Sequence, residues 1–415
     1  MTDMNRKRMI QVILGFVLMG GALTACEDRN WDFDGGISRP VLENYLSRSA
    51  TMSEFLTVDP FCNDGHYADK EKDIELIKNI GAKFIGRSIY RWGGERVLSD
   101  PGFWNGARGL IEKVHAFDKR VIFQAATFEA VTREVNTLKI PAWTFEALGL
   151  PVEERNFSYE MMLNPEGKYV DLWGAGSSVP DITQVETQLW FMYLIGSYVQ
   201  IGCEAVHLGQ IALIGMNDPH FETWQSFLVK IRNYARENAR RHWILLDAHT
   251  PAGGMIVNGI SLLDFNSFPL RIKEVPEKPM EGVLEKGHLD AIYGRSLGCI
   301  TPSGWECQAL PYLVEFDNFG VSDHPGVANV NDHYTWGYDE ITWFYLQKPE
   351  YREAWLKYAY DWLQKNDPNG HLEMPLARVI STGNPGDPKT CRGIAPSESC
   401  PQGMNLEAAI KALWK

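Results

Sequence analysis

Two stretches of this chain repeat one local pattern, and that pattern restricts the fold more than any bulk property. Ile80-Gly81-Ala82-Lys83-Phe84-Ile85 and Ile201-Gly202-Cys203-Glu204-Ala205-Val206 each close an apolar-periodic segment, turn at a glycine and continue as a mostly apolar run. A glycine there can take the left-handed conformation that stops a helix. The run after it reads as a strand buried on both faces, as in parallel sheets. Parallel neighbours need long crossovers, which helices supply.

The same alternation extends along the chain. Arg39 to Leu46 reads as a first strand and Ala68 to Ile80 as a helix. Lys83 to Arg87 is a strand, 103–118 a helix, and Arg120 to Thr127 a strand. Asp181 caps a long helix reaching Gln200, and Cys203 to Leu208 follows as a strand. Asp218-Pro219 opens a helix with Phe221, Trp224, Phe227, Leu228, Ile231 and Tyr234 on one face. His242 to Asp247, Ser261 to Asp264 and Tyr312 to Asp317 read as strands. Tyr351 to Gln364 is helical, His371 to Ile380 extended, and Leu406 to Trp414 a last helix. Eight strands, most followed by a helix, match an α/β (β/α)8 TIM barrel with long loop insertions, here 129–180 and 266–310. The fifth and sixth strands are too close for a full helix between them, and Gly253-Gly254 argues against one. An open doubly wound sheet is the alternative, but no glycine-rich phosphate fingerprint supports it.

The amino-terminal 26 residues have another purpose. Asn5-Arg6-Lys7-Arg8 is basic, Met9 to Leu23 is nearly all apolar, and Leu23-Thr24-Ala25-Cys26 precedes Glu27-Asp28. A basic start, a short apolar run and small residues make a secretory signal, too short to span a bilayer. The Leu-Thr-Ala-Cys end resembles the lipobox of bacterial lipoproteins, which implies cleavage before Cys26 and lipid on it. Residues 1–25 are then the signal, 26–37 a polar tether and 38–415 one barrel domain. The expected location is the cell envelope, lipid-anchored to the outer membrane.

Without residues 1–25 the chain keeps 37 basic and 52 acidic residues, a formal charge of −15. That excludes a nucleic-acid partner, which needs a basic footprint. It also leaves membrane attachment to the lipid alone. Aromatic residues make up 12%. Part of that is core; the rest suits stacking against sugar faces. Of the six remaining cysteines, Cys299/Cys307 and Cys391/Cys400 are close pairs in Gly/Pro/Ser-rich sequence and are expected as local disulfides. Cys203 reads as a buried thiol. No Cys/His spacing suggests a metal, and nothing calls for a cofactor.

A barrel enzyme places its working groups at the carboxyl ends of its strands. Those ends carry Glu43, Arg87 with Trp92 just beyond, Glu129, His207 and Gln210, Asp247 and His249, Asp264, and Glu315 and Asp317. Asp264 and Asp317 could equally cap helices, Arg87 could be a structural ion-pair partner, and His207 a core histidine. Gln210 is as good a polar plug as a sugar ligand. Glu315 is harder to explain structurally, because it ends the apolar run Pro-Tyr-Leu-Val, where an unpaired carboxylate is costly. Asp247, after Trp-Ile-Leu-Leu, stands in the same position.

Lipobox, acidic residues after the cysteine, aromatic richness and barrel pattern together resemble glycan-processing lipoproteins of Bacteroidetes, many of them barrel glycoside hydrolases. The resemblance implies a carbohydrate substrate and two catalytic carboxyl groups. In the large retaining clan these are glutamates ending the fourth and seventh strands. Glu315 matches the seventh. The fourth strand, Ala205 to Gln210, lacks the Asn-Glu pair and offers Gln210. The expectation is therefore Glu315 with a second carboxyl from Asp247, Asp264 or Glu129, Asp247 being the first choice. Glu43, Arg87, Trp92, Glu129, His207, Gln210, His249, Asp264 and Asp317 are then expected to bind substrate. A glycan-binding barrel without catalysis is the alternative. No His-Glu-x-x-His points to a metalloprotease.

Overall fold

The computed structural model describes residues 31–62 and 69–415. The chain divides into Met1–Asp32 and Phe33–Lys415, and the second unit is described below. Cys26 and the apolar run before it lie outside the described residues.

Eight positions around a barrel are filled by parallel strands. They are β1 (Ser49–Met52), β2 (Phe84–Ile89), β3 (Ile122–Ala126), β4 (Ala205–Gln210), β5 (Leu245–His249), β6 (Asn266–Pro269) and β7 (Tyr312–Glu315), then one extended segment in two runs, β8 (Gly370–Leu372) and β9 (Met374–Val379). Each strand from β1 to β7 pairs with the next in parallel. β8 pairs with β7, and β9 pairs with β1. The last segment therefore changes partner at Glu373 and closes the sheet into a barrel. A further strand, β10 (Thr390–Arg392), joins β9 antiparallel at the edge.

Helices α2 (Lys70–Ile80), α3 (Pro101–His115), α4 (Val185–Ile201), α5 (Glu222–Asn238), α6 (Pro349–Asn366) and α7 (Glu407–Leu413) surround the barrel, and α7 contacts both α2 and α6. The repeated glycine joins behave as their sequence implies: α2 ends on Gly81 at φ +70° and α4 on Gly202 at φ +107°. Between β5 and β6 there is a hairpin (Ile256–Val257 with Ile260–Ser261) in place of a helix. The segment from β6 to β7 carries small strands and no helix.

Two expected strands lie elsewhere. Arg39–Leu46 is a helix, α1, with proline in its first turn. Val41, Leu42, Tyr45 and Leu46 are its buried residues, a helical spacing. The first strand is instead Ser-Ala-Thr-Met, too short and small to announce itself. The sixth is Asn266–Pro269, not Ser261–Asp264. The apolar Leu262 and Leu263 are buried before the strand begins.

Phe33 and Ile37 are also buried. Arg241 stacks over the Phe33 ring at 4.8 Å, Gly35 N–H donates to Arg241 O, and the Trp305 indole donates to Ile37 O. Arg39 donates to Asn369. Arg241 lies shortly before β5 and Asn369 directly before β8, so the chain enters across the amino-terminal mouth of the barrel. The six described cysteines are thiols. Cys299 and Cys307 face each other in antiparallel register with Sγ atoms 3.8 Å apart, and Cys391 and Cys400 are both buried.

Candidate active site

At the opposite, carboxyl-terminal mouth lies a cavity of about 380 Å³. Its walls are aromatic. Trp92 follows β2, Phe128 follows β3, and Trp173 comes from the 129–180 insertion. The Trp92 ring centroid is 5.2 Å from that of Trp173 and 5.6 Å from that of Phe128. Val131–Thr132 pairs with Ser177–Ser178, which holds the two ends of the insertion together. The Trp173 indole also donates to Glu129 O at 2.8 Å. Phe319 and Asn318, beyond β7, line the cavity too, with Tyr90, Arg378 and Val379.

The floor is polar because the strands are locally bent. Arg87 sits at φ +52°, where the β2–β3 pairing shifts register. Non-glycine residues held there mark a strained, over-determined position. The bend brings Arg87 N–H to Gln124 Oε1 at 3.0 Å. Gly209, at φ +75°, leaves room for Glu129: a Cβ there would lie 2.4 Å from its Oε2. The Glu129 carboxylate accepts from both the backbone and side-chain N–H groups of Gln210, each at 2.9 Å.

Two carboxyl groups lie beneath the floor, each joined to a histidine that reaches the cavity. Glu315 accepts from Arg87 Nε at 2.7 Å and also from Arg87 Nη2. His249 Nε2 lies 2.9 Å and Arg378 Nη2 3.3 Å from its carboxylate. Burial alone would raise its pKa, but the charges of Arg87 and Arg378 and the His249 bond outweigh this and hold it well below the usual carboxylate range. Asp247 is fully buried. It accepts from Gln124 Nε2 at 2.6 Å, and a 2.7 Å hydrogen bond joins its Oδ2 to His207 Nδ1. Burial pushes its pKa up to about 7 against the opposing Ser267 bond and Arg87 charge. Burial, then the charges of Arg87 and His249, keeps His207 well below its ordinary pKa and so neutral. The His207 and His249 ring centroids are 4.9 Å apart. Among the described residues no group of His, Cys, Asp and Glu is arranged to hold a metal ion.

Of the residues singled out in the sequence, Arg87, Trp92, Glu129, His207, Gln210, His249 and Asp317 line the cavity. Asp247 and Glu315 lie directly behind it. Glu43 and Asp264 are elsewhere. Glu43 is on α1, paired with Arg39. Asp264 accepts from Arg232, the Trp243 indole and Leu246 N–H at the amino ends of β5 and β6. Trp173, Phe319, Gln124 and Arg378 were not singled out. Arg378 had a legible signal: a lone arginine in the apolar run Met-Pro-Leu-Ala-Arg-Val, the same anomaly that marked Glu315.

No family model matches the chain, and no curated protein sequence matches it. Solved structures with some likeness include a debranching enzyme from Nostoc punctiforme, at 11% identity over 54% of this chain and 52% of that one, TM-score 0.32. An α-galactosidase from Thermus thermophilus has 13% identity over 56% and 44%, TM-score 0.33. A β-glucuronidase from Bacteroides uniformis has 12% identity over 92% and 37%, TM-score 0.39. The chain spans about half or less of the length of these proteins, and the likeness carries no argument about chemistry.

Proposed function

We propose that this protein is a glycoside hydrolase acting on a poly- or oligosaccharide. The observation that carries the reading is the pair of carboxyl–histidine units side by side beneath an aromatic pocket, with environments that push the two carboxyls apart. Groups separated in this way suit complementary acid and base roles. Asp247 holds the transferable proton. Glu315 stays ionised and stabilises positive charge developing on the sugar. Trp92 and Trp173 offer faces for the sugar ring, and Gln210, Glu129 and Asp317 offer partners for its hydroxyls. A panel of glycans tests this directly, with turnover expected for at least one.

One observation favours a second reading. Neither Asp247 nor Glu315 itself lines the cavity, which suits a barrel that binds glycan without cutting it. Saturable binding on the panel with no turnover supports that reading over the first.

Two further readings belong here. The Leu-Thr-Ala-Cys series supports a lipid anchor on Cys26, placing the protein in the cell envelope. The register and 3.8 Å approach of Cys299 and Cys307 support a disulfide between them under oxidising conditions.

A further inference from the structure

We propose that His207 is the group that exchanges the proton with the substrate, and that Asp247 acts only through it. This rests on the hydrolase reading. Asp247 has no exposed surface, and its two oxygens are taken by Gln124 and His207. Asp247 does not line the cavity, whereas His207 does. His207 spans the gap. Its Nδ1 meets Asp247, with Ser267 Oγ also 3.3 Å away, and the residue lines the cavity. Its Nε2 is shielded from solvent and has no hydrogen-bond partner in the protein. Leaving such an atom unpaired costs about 1–3 kcal/mol, a cost removed when a ligand supplies the partner.

The surroundings keep this histidine to one proton. Arg87 from β2 and Arg378 from β9 are cationic, and His249 on β5 lies ring to ring with it. Glu315 on β7 is the anion facing it, but is itself engaged by both arginines. Phe128 covers the remaining side at 5.9 Å. Asp247 and His207 together thus hold one transferable proton. In the first step Nε2–H passes to the glycosidic oxygen as the bond from that oxygen to the anomeric carbon breaks, its electron pair going to oxygen. Nδ1 takes the Asp247 proton in the same movement. Nε2 then removes a proton from water as the water oxygen bonds to the anomeric carbon, and the Nδ1 proton returns to Asp247. The sugar gains OH, the leaving group gains H, and both residues return to their starting state. His207 is the catalytic residue and Asp247 the positioning one.

The test compares leaving groups on aryl glycosides of one sugar. A dinitrophenolate leaves without protonation, whereas an alkoxide or phenolate needs it. For His207→Gln, the loss of kcat on the phenyl glycoside is expected to exceed that on the dinitrophenyl glycoside by about a hundredfold, the scale of general-acid help. Equal losses on both, or none, would overturn the assignment. Nitrogen-15 NMR of the wild-type histidines needs neither a variant nor turnover. A neutral His207 ring at pH 7 whose Nε2 signal moves in Asp247→Asn is expected. An imidazolium, or an Nε2 signal indifferent to Asp247, would also overturn it. If wild type cleaves no aryl glycoside or glycan, the hydrolase reading fails, while the NMR result still decides whether His207 is linked to Asp247 as stated.

Discussion

Glu315 carries the charge balance of the barrel floor, since two buried guanidinium groups share its carboxylate. A buried charge left without its partner costs about 3–5 kcal/mol. Glu315→Gln is therefore expected to lower unfolding free energy by that order, measured by denaturant titration at pH 7. Arg87 and Arg378 would lose their common counter-ion, so this variant cannot be read as a purely catalytic probe. A loss below about 1 kcal/mol would show that Asp317, which already binds Arg378 at 3.1 Å, suffices as a replacement. At this scale the sequence was informative wherever a charge interrupted an apolar run, as at Glu315 and Asp247. It was silent on Trp173, because no spacing rule says which tryptophan of the 129–180 insertion folds back over a strand end.

The element that closes the barrel carries its own proton linkage. Glu373 stands between β8 and β9, buried beside Gly86, where a Cβ would come within 1.8 Å of its Oε1. Burial, reinforced by the nearby Glu315 charge, pushes its pKa up to about 8. In the unfolded chain it ionises near about 4.3. Between those values the unfolded state has lost a proton that the folded state keeps, so this group makes stability fall as pH rises from about 4.3 to about 8. Glu373→Gln is expected to flatten that slope, seen as a smaller difference in melting temperature between pH 5 and pH 8. An unchanged slope would show that Glu373 ionises normally in the fold. In the segment between β6 and β7, non-reducing peptide mapping of protein secreted into an oxidising medium is expected to recover Cys299 linked to Cys307. Free thiols at both would rule that bond out. Long elements with helical or buried-strand periodicity were legible. Ser49–Met52 and Asn266–Pro269 were not, because their places depend on neighbouring strands rather than on their own residues. α1 was misread because its apolar residues fit a short strand as readily as one helical face.

For the whole molecule, the two mouths of the barrel are divided between entry and pocket. Phe33 and Ile37 dock at the amino-terminal mouth, and the aromatic cavity opens at the other. Cys26→Ser is expected to move the protein from the membrane to the soluble fraction. Retention of the variant with membranes, like wild type, would contradict the anchor. The closed parallel barrel was readable from the alternation of elements and the glycine joins. The pocket's position followed from barrel geometry, but its walls include Trp173 from the 129–180 insertion and Phe319 beyond β7, whose paths no periodicity describes. The central claim is that a buried carboxyl pair drives glycoside cleavage at this pocket, and the most direct measurement is the initial hydrolysis rate of the best glycan from the panel by wild type and by Asp247→Asn. The expected result is wild-type turnover with a loss of at least about a hundredfold in the variant and glycan affinity nearly unchanged. Equal rates in the two proteins, or a wild type that neither binds nor cleaves any glycan, would contradict it.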